Sequence, residues 1–235
     1  MSNFKIESLV IAVGFAAIGL FVSQGLKEFS NDNRIVSVKG LAEMEVNADK
    51  VTWPLVYKEL SNDLTTLYTK LETKNAEIVG FLESKGIKSE DISISAPKII
   101  DILANEYRSQ DMVVRDRYNA TSVIIVTSSE VDKVRGIMEQ QSELLKKGIA
   151  IIRDDYSYQV NYNFTGLNKI KPQMIEEATA NAREAAMKFA NDSDSKIGKI
   201  KRANQGQFSI SNRDAYTPYI KSIRVVTTVD YLLED

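Results

Sequence analysis

Three groups of residues have the types and spacing for chemistry, and each lacks something the chemistry requires. Asn191-Asp-Ser-Asp194-Ser195 places oxygen donors as a calcium loop does. Such a loop needs glycine at its sixth position and a bidentate glutamate at its twelfth, where this chain has Lys196 and Arg202. The stretch reads as a solvated helix end. Asp154 and Asp155 are adjacent carboxylates, but neighbouring strand residues face opposite sides and cannot share one site. Asp154 falls beside Tyr156 on an aromatic face, where burial would make it a proton donor, or it reaches water at the strand end. Asn119-Ala-Thr121 and Asn163-Phe-Thr165 fit the glycosylation pattern, a short motif that alone identifies no site.

The absent residue types narrow the chemistry further. With no histidine there is no histidine-centred triad, imidazole metal ligand or imidazole proton shuttle. With no cysteine there is no thiol nucleophile, disulfide, thiolate zinc site or lipid-modified N-terminus. The expectation is a protein that is not an enzyme, with no cofactor and no metal. The 30 basic and 32 acidic residues are interspersed, for a net charge of −2, so the footprint of a nucleic-acid binder is missing. The densest basic cluster, Lys196, Lys199, Lys201 and Arg202, reads as the solvated side of a helix-to-strand junction.

What would position any site is an alternation of strands and helices. Arg34–Val46 alternates as a strand, with Gly40 marking a bulge or a close backbone approach. Lys50–Glu59 is a second strand, and Pro54 in it argues for an edge or a bulge. Ser61-Asn-Asp63 can cap a helix ending near Lys85, with Gly86 as its stop. Strands follow at Ile92–Leu103 and Tyr118–Ser128, joined by a polar tip over 104–117, then a helix at Val131–Lys147. The clearest alternation is Ile152–Phe164, which puts Tyr156, Tyr158, Tyr162 and Phe164 on one face. That face is either core or an aromatic groove for a partner. Pro172 suits the first turn of a third helix with Ala178, Ala182, Ala186 and Ala190 at intervals of four. Strands at Lys199–Ile210 and Ser222–Leu233 close the body. The order predicts an α+β fold, antiparallel sheets packed with two or three long helices.

One N-terminal transmembrane helix is expected before this body. Ser8–Leu26 has no charged residue and, as a helix, covers about 28 Å, close to the hydrocarbon thickness of a bilayer. A signal peptide is the competing reading, but Lys5 is a thin basic region and the cleavage site after Gly25 is poor. Residues 1–27 are therefore read as a membrane anchor and 28–33 as a tether. Ser8, Ala12, Ala16 and Gly19 form a stripe of small residues that can let two membrane helices pack.

Several motifs together resemble the SIMPL family, a domain of unknown function in bacterial envelope proteins. They are Val36-Ser-Val38-Lys-Gly40 with Asp49-Lys-Val51, then Gly86-Ile87 with Asp91-Ile92, and Tyr118-Asn-Ala120. The alanine ladder and Ile197-Gly198-Lys-Ile200 complete the set. The extended tip and the uncleaved anchor depart from the family's pattern. The resemblance implies an α+β domain over 34–235, periplasmic or at the cell surface and prone to homo-oligomerise, loosely tied to stress resistance, with no agreed catalytic residue. The expectation is a single-pass inner-membrane protein with its body in the periplasm, or a secreted one if the segment is cleaved. It would act as a self-assembling scaffold or binding domain. The alternative is a monomeric binding module that captures a protein or envelope polymer with its aromatic strand. No nucleic acid is expected as a partner, and no specific protein partner is named by the sequence.

Overall fold

The computed structural model describes residues 3–31, 34–104, 115–152 and 156–234, with only the backbone described for 3–10 and 26–31. The fold is α+β with antiparallel sheets. The body divides into two compact units interleaved in sequence. One comprises residues 1–44, 167–211 and 222–235, the other 45–166 and 212–221.

The first unit is built on β1 (Ile35–Asn47), β7 (Lys196–Gln205), β8 (Ser209–Asn212) and β9 (Ile220–Glu234), in the order β1-β9-β7 with β8 also on β9. The even-numbered residues of β1, among them Val38 and Ala42, are covered, and the odd-numbered ones from Ile35 to Glu45 are exposed. The covering element is α5 (Leu167–Asp192), whose Ala178, Ala182, Ala186 and Ala190 are all buried. Alanines let the helix backbone come down onto the strand, and Gly40 completes the approach. A Cβ at Gly40 would lie 1.8 Å from the Ala178 carbonyl oxygen and 2.5 Å from the Ala182 nitrogen. Gly40 is therefore a point of close backbone approach. The helix begins at Leu167 and places Pro172 in its second turn, not its first. Just before it, Asp49 accepts hydrogen bonds from the Thr165 and Gly166 N–H groups at 2.7 and 2.9 Å, fixing the entry to the helix upstream of the proline.

The N-terminal segment forms α1 (Asn3–Asn31). Among the described residues no helix is long and apolar enough to cross a membrane; side chains of α1 are described only for residues 11–25.

The second unit holds the larger core. Its sheet contains β2 (Lys50–Ser61), β3 (Ile92–Ile94), β4 (Lys98–Asp101), β5 (Tyr118–Ser128) and β6 (Asn161–Asn163), ordered β3-β5-β2-β6 with β4 also on β5. The helices α2 (Leu64–Ser84), α3 (Val131–Gln140) and α4 (Ser142–Lys146) supply apolar side chains to the same core as one face of this sheet, Leu67, Leu71, Ile78, Val134 and Leu144 meeting Val51, Trp53, Leu55, Tyr57 and Ile124. Asp63 caps α2 by accepting the Thr66 N–H at 2.7 Å, and Gly86 follows it with φ 85°. The buried Tyr57 hydroxyl donates to Asn75 Oδ1 at 2.8 Å, and Asn75 also receives Ser122.

Three expected elements are broken, among them the strand over 199–210, which is β7 and β8 with Gly206-Gln-Phe208 between them. The strand over 92–103 is two short strands because Ser95-Ala-Pro97 interrupts the ladder. The helix over 131–147 is two, joined at Gln141.

The largest difference is at 152–164, where no long strand forms. Ile152 makes a single bridge to Val56, a one-turn 3-10 helix occupies Tyr156–Tyr158, and only Asn161–Asn163 pairs with β2. The reason lies in β2. In a regular strand, residues two apart turn their N–H and C=O to the same edge. Val56 accepts the Ile152 N–H at 2.7 Å, so Pro54 turns its missing donor to that edge too. The incoming chain finds no hydrogen there and leaves. On its other edge β2 pairs with β5 over every residue from Val51 to Ser61, and Pro54 takes nothing from that ladder.

Gly40→Ala should cost about 3 kcal/mol, at the top of the overpacking range, because the α5 backbone must be displaced to admit the methyl. Urea unfolding of the two proteins measures it; a loss under about 1 kcal/mol would mean the helix rides freely on the strand.

Candidate functional site

Where the chain leaves β2, it opens two concavities on the second unit. One, of about 580 Å³, lies among Trp53, Met138, Gln141, Ile152 and Val160. The other, of about 480 Å³, lies over Thr52, Ser95, Lys98, Thr121, Ile125 and Asn161. Pro54, Tyr158 and Gln159 line both. Their volumes fall in the range of ligand sites.

The expected aromatic face does not assemble, because its residues do not share a strand. Tyr156 is 93 % exposed in the 3-10 turn. Tyr162 is 8 % exposed and belongs to the core. It packs edge-on to Tyr219 with ring centroids 6.1 Å apart, and Arg135 stands 3.5 Å over the Tyr219 ring. Burial raises the pKa of the Tyr162 phenol, although the Arg135 charge opposes it. Phe164 is half-buried beside Gly166, where a Cβ would come within 3.0 Å of its ring. Of the four, Tyr158 alone lines the concavities. Asp154 and Asp155 lie outside the described residues, as do positions 105–114 of the tip.

Asp49, Asp214 and Lys221 on the second unit are held in local contacts. Among the described residues no group of three or more acidic side chains could hold a metal. Asp49 is occupied by the Thr165 and Gly166 N–H groups and the Thr165 hydroxyl. Asp214 accepts from Thr217 and Arg213, which hold its carboxyl well below the usual range, and it serves the turn before Tyr219. Lys221 is buried, and burial lowers its pKa, but its ammonium donates to Asn212 Oδ1. These charges hold loops.

The small-residue stripe of α1 has no partner inside the chain among the described residues. Ala12, Ala16 and Gly19 are exposed, and a Cβ at Gly19 would meet nothing within 4 Å; the Ser8 side chain lies outside the described residues. The basic cluster from Lys196 to Arg202 lies on β7, a strand at the sheet edge, where like charges discourage edge-to-edge pairing.

Sequence reasoning missed Pro54, Gln159, Thr52 and Lys98 as cleft residues. The proline was the available signal, since a strand lacking one donor must lose a partner at that point.

Tyr158→Ala should change stability by less than about 1 kcal/mol, as its side chain lies outside the core, whereas Tyr162→Ala should cost about 3–5 kcal/mol. Chemical denaturation of both variants separates them; equal losses would place Tyr158 in the core.

The family model described as SIMPL, protein of unknown function (DUF541), matches residues 36–227. No curated protein matches the chain.

Proposed function

The chain belongs to the SIMPL family, and on that premise we propose that it is a membrane-anchored cell-envelope protein whose α+β body acts as a non-catalytic, self-assembling scaffold or binding domain. The observation that carries this reading is α1. Phe15 and Val22 on one side of the helix, Val13 and Leu20 on the opposite side and Phe21 between them are all exposed, Phe15 by 72 % and Phe21 by 75 %. A helix apolar on every side requires apolar surroundings, and 29 residues extend about 44 Å, more than the hydrocarbon core of a bilayer. In this reading the body that follows the anchor lies in the periplasm.

Self-assembly is supported by β1, which has a strand partner on one side only among the described residues. Such an edge can pair with another copy, and the stripe at Ser8, Ala12, Ala16 and Gly19 can pack two anchors. The cleft at Tyr158 favours the second reading, a monomeric module that captures a ligand.

Full-length protein should sediment with membranes through an alkaline wash, and Phe15→Asp with Ile18→Asp should release it; wild-type protein in the soluble fraction would overturn the anchor. Native mass in mild detergent should be a discrete multimer. Monomers across a concentration series would remove the scaffold and leave the binding module.

A further inference from the structure

The face of the five-stranded sheet turned away from the helices carries charge of one sign. Residues directly opposite in an antiparallel pair share a face. Leu55, Tyr57 and Ile124 belong to the core, so the even-numbered residues of β2 and the odd-numbered residues of β5 look the other way. The charged positions on that outer face are Lys50 and Lys58 on β2 and Lys98 on β4. No paired position on it is a carboxylate, in a chain with 32 acidic residues. Of the acids nearest in sequence, Asp49 is occupied by Thr165 and Gly166, and Glu59 and Asp101 fall on the opposite face and are paired with Lys74 and Arg117.

Thr121 is the centre of the arrangement. It stands opposite Lys58 on one side and Lys98 on the other. Across two strand spacings the lysine positions are about 10 Å apart, and Lys50 lies about 27 Å along β2 from Lys58. All three lysines are exposed, and none has an ion pair or hydrogen bond among the described residues.

The rest of the face mixes hydroxyls and amides, at Thr52, Thr127 and Asn161, with the apolar Pro54, Val56, Ile100, Val123 and Ile125, of which Val56 and Val123 are buried. Thr52 stands opposite both Thr127 and Asn161, and the 480 Å³ concavity runs over Lys98, Thr121, Thr52 and Asn161 with Pro54 and Tyr158 among its walls. Hydroxyls and amides hydrogen-bond to sugar hydroxyls, flat apolar surfaces receive sugar faces, and unpaired ammonium groups receive carboxylates. An elongated surface with cations at separated points suits a chain whose charges recur rather than a compact anion.

We propose that the outer face of this sheet binds an acidic polysaccharide strand, with charged sugars at Lys58, Thr121 and Lys98 and neutral sugars along Tyr158 and Pro54. This deepens the binding half of the reading above and depends on neither the anchor nor self-association.

The test is fluorescence anisotropy of a labelled polygalacturonate oligomer titrated with full-length protein in mild detergent. Saturable binding that weakens as salt rises is expected, as charges this exposed are screened within about 8 Å at physiological ionic strength. Lys58→Gln with Lys98→Gln should weaken it at least tenfold, and Lys98→Glu alone should do the same. Lys199→Gln on β7 should leave it unchanged, with circular dichroism matching wild type throughout. The proposal is overturned by no binding, by equal binding of the double variant, or by equal binding of a neutral dextran oligomer. Tighter binding of single-stranded DNA with the same lysine dependence would reassign the face to nucleic acid. Failure of the glycan to bind while the native mass stays multimeric would sink this proposal and leave the scaffold standing.

Discussion

One missing backbone hydrogen organises the second unit. A sheet grows by satisfying donors and acceptors along an edge, and β2 presents an edge with a gap at Pro54. Ile152 bonds on one side of the gap and Asn161–Asn163 on the other. The chain between them cannot continue the ladder, and its departure makes room for the two concavities. Tyr158 and Gln159 line the cleft because they cannot lie on the sheet. The opposite edge of β2 is unaffected, and its unbroken pairing with β5 keeps the floor of the cleft regular.

In the first unit the governing constraint is steric. A helix can lie directly on a strand only if both surfaces are shaved to backbone. The alanines every fourth residue on α5 do this from one side and Gly40 from the other. Asn181 adds a side-chain bond to the Leu41 carbonyl oxygen at 2.8 Å beside the contact. The covered face of this sheet thus comes from small residues, whereas the second unit fills its core with Trp53, Tyr57 and large aliphatic side chains.

Charge is distributed with the same economy of roles. Several carboxylates are tied to structure: Asp49 to the entry of α5, Asp63 to the start of α2, Asp101 to Arg117. Arg117 and the Leu103 N–H lower the pKa of the Asp101 carboxyl. Among the described residues Lys50, Lys58 and Lys98 stay unpaired on the outer sheet face, where register sets two of them around a threonine. A net charge of −2 gives no hint of it, because composition does not record which face a residue joins.

Local chemistry was legible in the chain alone. The Asp63 cap, the left-handed Gly86, the strands β1, β2, β5 and β9 and the alanine face of α5 follow from signals within a few residues of each other. The family resemblance over most of the body was legible in the same way. The fate of 152–164 was not, because its alternation describes only its own side chains, and strand pairing requires donors and acceptors on a segment a hundred residues earlier. The start of α5 escaped for the same reason, being fixed by a carboxylate at Asp49. Sequence by itself determined which residues can form strands and helices and which reactions they cannot perform. Only the tertiary structure decided which strand had a partner, and so where the cleft opens and which lysines share its face.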